Sequence, residues 1–194
     1  MFKFIRVDED KELLKKIFRF RCQILCDELR IFDRKNYTNG LEIDRYDKYS
    51  IQYVALNEKI EISATVRLIH HSPIGYPTEN SMKIDDNIKN SFDRNHLGEI
   101  SRIFIAKKYR NFKDTKYIVE SFKKFLYSDM KKNDIRYSYG ALEKSFFRLL
   151  KIYKMRYEII GELQEYGGKR YPCILYTSTL EKDNPHLLKE KNAF

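Results

Sequence analysis

The sequence predicts a mixed α/β fold in a single domain over residues 1–194, on three observations. Apolar residues make up 42% and aromatics 14% of the 194 residues, enough for a real core and too many for wholesale disorder. Strand-like and helix-like periods alternate along the chain. No internal repeat, low-complexity tract or Pro/Ser-rich linker divides it. The longest apolar runs, such as Ile103-Phe104-Ile105-Ala106, are too short for a bilayer, so no membrane insertion is expected. Residues Met1 to Asp8 lack a signal-peptide core. Three cysteines, Cys22, Cys26 and Cys173, are an odd and sparse set that argues against a disulfide scaffold. The expectation is a soluble cytoplasmic protein.

Phe2 to Val7 alternates as a short first strand. Residues 9–31 follow a helical period, with Leu13, Leu14, Ile17, Phe18, Arg21, Ile24, Leu25 and Leu29 near one face. Arg21 stands out there, because burying a guanidinium without an anion is costly. Residues 32–50 are polar, carry Asn39-Gly40 and read as a loop. Two strands, Ile51 to Leu56 and Ile60 to Ile69, flank Asn57-Glu58-Lys59. A polar stretch with Pro73, Gly75 and Pro77 follows. Glu99 to Ala106 is the clearest strand. Thr115 to Met130 is a helix, Ile135 to Leu142 a strand, and Leu149, Leu150 and Tyr153 belong to a further helix. Tyr157 to Leu163 and Tyr171 to Ser178 flank Gly167-Gly168 as a hairpin. The central strand–helix–strand unit predicts one parallel pair with a right-handed crossover.

Lys and Arg number 38 against 28 Asp and Glu, a net charge of +10. Residues 107–156 alone hold 15 basic and 5 acidic side chains, so the whole excess sits in one stretch. Such a stretch attracts a polyanion: nucleic acid, a membrane surface, a phosphorylated cofactor or an acidic protein. No RNP, KH or C₂H₂ pattern is present, and no nucleic-acid partner is expected.

Two constellations carry chemistry. Glu42-x-Asp44-x-x-Asp47 puts three carboxylates in six residues, which repel unless cations or donors hold them. Ca²⁺ or Mg²⁺ ligation is one possibility, although the EF-hand spacing is absent. Pairing with Arg21, Arg67 and Arg102 is the other, since guanidinium stays charged and matches a carboxylate bidentately. The second constellation, Glu99-Ile100-Ser101-Arg102, opens the clearest strand. Strict alternation puts Glu99 and Ser101 on one face and Ile100 and Arg102 on the other, unless a bulge intervenes. A carboxylate there suits a general base or a salt-bridge anchor. His70-His71 would face opposite sides of a strand, and no metal is expected there.

In order along the chain, Arg21, Glu42-x-Asp44-x-x-Asp47, Arg67-Leu68 and Glu99-x-Ser101-Arg102 resemble the acyl-homoserine-lactone (autoinducer) synthases, which have the GNAT acyltransferase fold. The pattern is equally similar to the N-acyl amino acid synthases and to exosortase-associated acyltransferases. Arg67-Leu68-Ile69 followed by Pro73 and Pro77-Thr78-Glu79, and Gly168-x-Arg170-x-Pro172 with Asn184-Pro185 beyond it, lean toward those relatives. The resemblance covers about residues 1–185. It implies a twisted mixed sheet of about seven strands with a V-shaped cleft and helices on both faces, with 185–194 a loose tail. It implies acyl transfer to the amine of a small metabolite, a role in quorum sensing if the product is an autoinducer, and no cofactor besides a phosphopantetheine-linked donor. Glu99 would be the base, with backbone N–H groups from Ser101 to Phe104 at the thioester carbonyl. Arg21, Glu42, Asp44, Asp47, Arg67 and Arg102 would shape the acceptor pocket. Phe104, Phe122 and Phe146 would line the acyl chain, and Tyr139 or Tyr153 would protonate the leaving thiolate. Leu25 and Ile31 stand where the lactone synthases carry aromatics, which speaks against S-adenosylmethionine as acceptor. A lactone synthase proper, or a non-catalytic basic binding module, is the alternative.

Acetyl-CoA enzymes of this fold cradle a pyrophosphate in a glycine-containing loop at a helix start. Here Lys107-Lys108-Tyr109-Arg110-Asn111-Phe112-Lys113-Asp114 has no glycine. An acidic acyl carrier protein, which presents a single phosphate, fits such a loop, and Lys107, Lys108, Arg110, Lys113 and Lys116 are its expected contacts.

Overall fold

The computed structural model describes residues 1–37 and 39–189. In chain order the elements are β1 (Lys3–Val7), α1 (Lys11–Cys22), a π-helical segment (Gln23–Glu28), β2 (Ser50–Leu56), β3 (Ile62–His70), α2 (Pro77–Ser81), α3 (Asp86–Asn90), β4 (Leu97–Ile105) and α4 (Phe112–Lys132). There follow β5 (Tyr137–Leu142), α5 (Lys144–Ile152), β6 (Glu158–Ile159), β7 (Gln164–Glu165), β8 (Lys169–Tyr176) and α6 (Thr177–Asp183). Among the described residues no helix is long and apolar enough to cross a membrane.

Two compact units emerge, Met1–Ile69 with Ile100–Phe122, and His70–Glu99 with the chain from Lys123 onward. In the first, β1, β2 and β3 form an antiparallel run and β4 follows β3. β2 and β3 are buried almost throughout, which explains their near-continuous apolar character. Their turn is tied by Asn57, whose Oδ1 accepts from Lys59 N and Glu61 N at 2.9 Å each. Ile60 takes a left-handed φ of 61°, so β3 starts at Ile62 rather than at Ile60 as the sequence predicts. α1 starts on Asp10, which accepts from Leu13 N at 2.9 Å, and packs Ile17 against Val7, Val54 and Leu56.

In the second unit β5 pairs in parallel with residues 97–99 of β4 and antiparallel with β8, and β6 and β7 pair with β8. The parallel pair is the one predicted. β7 and β8 form a hairpin around Gly167-Gly168, with Gly168 at φ 107°. Lys123 is fully buried and donates to Tyr153 O at 2.9 Å and Asn184 Oδ1 at 2.7 Å.

Several expectations need correction. The helix over 9–31 is not one α-helix: it gives way to the π segment after Cys22, and Leu29 ends up 45% exposed. The strand over 157–163 splits into β6 and β7. A Cβ at Gly161 would come within 2.8 Å of Pro172 Cγ and 2.9 Å of Lys83 O, so only glycine allows that close approach. With that split, the described residues hold eight strands, in keeping with the expected sheet of about seven. The stretch after Pro73 holds α2 and α3, where the sequence suggests only polar chain. Pro185–Leu188 is a 3₁₀ turn with Leu187 buried, not part of a loose tail; residues 190–194 lie outside the described residues.

Candidate active site

In the first unit, the three carboxylates of the 42–47 loop meet three arginines from separate elements. Arg21, at the end of α1, donates through Nε to Glu42 Oε2 at 2.5 Å. Its two terminal nitrogens grip Asp47 at 2.7 and 3.1 Å. Arg67 on β3 gives Nη1 to Asp44 at 2.7 Å and Asp47 at 2.9 Å, and Nε to Ser101 Oγ at 3.0 Å. Arg102 on β4 gives Nη2 to Glu42 Oε1 at 2.7 Å and Asp44 Oδ2 at 3.1 Å. Gln52, register partner of Arg67, adds a bond to Asp47 at 3.0 Å. Three positive and three negative charges thus close on themselves. Among the buried atoms of these described residues, Arg67 Nη2 and Gln52 Oε1 lack a protein partner.

Arg102 has a left-handed φ of 52°. The alternation of β4 breaks at that residue, so Ser101 and Arg102 both serve the cluster that strict alternation would have divided between faces. Burial alone would push the Glu42 carboxyl up. The guanidinium groups of Arg102 and Arg21 outweigh it and hold the group at about 2. Asp47 is pulled below its ordinary range in the same way, against its burial, by Arg21 and Arg67. Such carboxylates stay ionised near neutrality and are poor bases.

Arg21, Glu42 and Arg67 are at most 1% exposed, so their charges are met within the cluster rather than by solvent. Asp44 and Arg102, at 24% and 16% side-chain exposure, form the accessible edge. Phe32 lies 6.0 Å from the Arg102 guanidinium, one residue beyond Ile31. An aromatic ring therefore does cover this cluster, although Leu25 and Ile31 suggest none. Among the described residues no group of three or more His, Cys, Asp or Glu side chains could hold a metal ion. The arginines stand where cations were the other reading. His71 turns left-handed after β3, bringing its ring to 5.0 Å from that of His70 rather than to the opposite face.

Glu99 belongs to the second unit, on the first half of β4, and is 2% exposed. Its Oε2 accepts from Thr78 N at 2.9 Å, a donor the sequence reading did not assign. Thr78 and Glu79 lie in α2, whose start is organised by Pro77 and by Glu79 Oε1, which accepts from Tyr76 N at 3.0 Å. The Pro-x-Glu spacing is a helix-start signal that could have found this element. Arg94 clasps Glu79 from outside at 2.5 and 2.7 Å, and Tyr76 Oη donates to Leu97 O. Tyr139, on β5, is the register partner of Glu99 and shares its face.

The basic loop is exposed, but its cations are not equally available. Arg110 donates to Ile105 O at 2.7 Å and pairs with Glu28. Lys108 reaches Glu61 at 3.4 Å and lies 4.8 Å from the Tyr109 ring. Lys107, Lys113 and Lys116 make no ion pair among the described residues. At the start of α4, Asn111 Oδ1 accepts from Asp114 N at 2.9 Å, and Asn111 Nδ2 donates to Asp114 Oδ2 at 2.7 Å. Of the suggested acyl-channel rings, Phe122 is core, edge-on to Phe4 at 5.5 Å, while Phe104 and Phe146 are half-buried. Tyr153 is buried, with its carbonyl on Lys123.

The family described as Acetyltransferase (GNAT) domain matches residues 20–120, just over half of the chain. The chain belongs to the GNAT family of acyltransferases. Solved structures agree on the fold. One is BjaI, a CoA-dependent acyl-homoserine lactone synthase with SAM and isopentyl-CoA, at TM-score 0.67 and 16% identity over 98% of this chain and 90% of that one. Another is the synthase LasI, at 0.66 and 17% over 94% and 93%. FeeM, an N-acyl amino acid synthase from uncultured soil microbes, gives 0.67 and 12% over 94% of each chain. No curated protein sequence matches the chain. The GNAT chain thus shares its fold with both autoinducer synthases and N-acyl amino acid synthases.

Proposed function

We propose that this acyltransferase moves a fatty acyl group from an acyl carrier protein thioester to the amine of a small metabolite. A C–N bond forms at the carbonyl, the C–S bond breaks, and the amine proton leaves as the thiolate is protonated to thiol. Glu99 accepts the amine proton, directly or through water. Backbone N–H groups along β4 from Ser101 to Phe104 polarise the carbonyl. Asp44 and Arg102, held by the buried members of their cluster, shape the acceptor pocket.

The observation that carries the donor assignment is the start of α4. Asn111 already occupies the amide of Asp114, and the Asp114 carboxylate brings negative charge to this helix start, which disfavours a pyrophosphate there. Lys107, Lys113 and Lys116 remain to attract an acidic carrier. The test offers one acyl chain on carrier protein and on CoA, with a pool of primary amines that includes S-adenosylmethionine. Thiol release and product mass are read. Faster release from carrier protein and an N-acyl amide are expected; equal rates with CoA, the donor named for BjaI, would remove the carrier protein.

A second reading, a lactone synthase using S-adenosylmethionine, is favoured by the Phe32 ring at Arg102. A lactone product would establish it.

A further inference from the structure

Two residues paired with Glu99 carry buried hydroxyls that have no hydrogen-bond partner among the described residues. Tyr139 is fully buried, yet no described group lies within hydrogen-bonding distance of its Oη; Thr78 is fully buried, and its Oγ1 is likewise unmatched. An unmatched hydroxyl in a protein interior costs stability, and native folds leave few of them without a reason. Both belong to residues already tied to Glu99. Thr78 donates its amide to Oε2, and Tyr139 is the register partner across the parallel pair.

We infer that Tyr139 is a positioning residue for Glu99: its hydroxyl and that of Thr78 hold a water molecule against the Glu99 carboxylate. The inference rests on the reading of Glu99 as base. The water would donate to the carboxylate and accept from Tyr139 Oη, so that a buried base has a proton carrier beside it. Tyr139 stays a donor throughout, since burial, with Glu79 close by, pushes its phenol well above the ordinary value. Other groups face this spot from every side. Glu79 on α2 is neutralised by Arg94. Tyr76 is occupied by Leu97 O. Tyr157, from the chain before β6, also feels Glu99. Tyr157 Oη is likewise unmatched, with Ser138 beside it; Tyr139 and Thr78 carry the unmatched hydroxyls of the two residues that pair directly with Glu99.

The sign of the effect follows. A donor network beside a carboxylate favours its charged form, so removing the Tyr139 hydroxyl should raise the Glu99 titration point. In Tyr139→Phe the Glu99 carboxyl, read by infrared difference against Glu99→Gln, should titrate about one pH unit higher. Turnover with acyl carrier protein and the amine pool should fall about tenfold at unchanged KM. Thr78→Val should do the same more weakly, Thr78→Ser should restore the wild-type titration, and this pair serves if Tyr139→Phe fails to fold. An unchanged or lowered Glu99 titration point overturns the inference, as does a variant that melts higher with no change at Glu99, the mark of a dry, idle hydroxyl. Full turnover in Glu99→Gln would instead overturn the base assignment and leave the infrared result to stand alone.

Discussion

The arginine–carboxylate cluster of the first unit and the surroundings of Glu99 in the second treat buried carboxylates in opposite ways. Glu42 and Asp47 are bound directly by guanidinium groups, and their charge is fixed. Glu99 accepts from the Thr78 backbone amide, and Thr78 and the register partner Tyr139 carry unmatched hydroxyls. Direct ion pairing makes a carboxylate a fixture, because moving a proton onto it would strand an arginine in the interior. An amide donor carries no charge that would be stranded when its carboxylate takes a proton. On the proposed mechanism the ion-paired site is framework, and Glu99 is where the chemistry takes place.

Breaking the framework should have the largest effect. Arg21→Ala leaves Glu42 and Asp47 buried without their shared cation, and should destabilise by roughly 3–5 kcal/mol in chemical denaturation. Arg102→Ala should cost less than Arg21→Ala, since its side chain is partly exposed. An unchanged melt for Arg21→Ala would mean that its charge contributes nothing in the folded state. Next in size is Glu99→Gln, which should fold normally by circular dichroism and lose about 10²-fold or more in turnover.

Acid sharpens the contrast. The folded Glu42 carboxyl lies near 2 against an ordinary 4.5, so folding gains from it fully above the ordinary value and loses that gain as pH falls through about 2. The gain is on the order of 3 kcal/mol for such a shift. An acid titration of stability should steepen below the ordinary carboxylate range, and in Glu42→Gln that steepening should shrink. A wild-type curve that coincides with that of Glu42→Gln would place the depressed titration elsewhere.

Much of the cluster was legible because it is written in composition: three acids in six residues demand cations, and three arginines on apolar faces demand anions. Where the chain departs from regular periods, the sequence misled. The left-handed turn at Arg102 moved a side chain across a strand, and the ring near Arg102 comes from Phe32, beyond the π segment, rather than from position 25 or 31. Neither has a glycine or proline to announce it. Glu99 was visible as a carboxylate at a strand head, but its partners were not. The Thr78 amide comes from a five-residue helix too short to show a period, and Tyr139 becomes a neighbour only through parallel pairing across an intervening helix.

The smallest effect belongs to the basic loop, and it separates surface charge from both buried regions. Lys107, Lys113 and Lys116 are exposed, so reversing them should not unfold the protein. If they steer an acidic carrier, Lys113→Glu with Lys116→Glu should raise the KM for acyl carrier protein several-fold, mainly through slower association. The KM for the amine should stay put. The wild-type advantage should fade as salt shortens the reach of these charges. Arg110→Ala should behave differently from the lysine reversals, because its guanidinium is already committed to Ile105 O and Glu28. A modest loss of thermal stability is expected there, with little added salt dependence. If instead the lysine reversals leave the carrier-protein KM unchanged at low salt, the excess charge of residues 107–156 has another purpose than steering the donor.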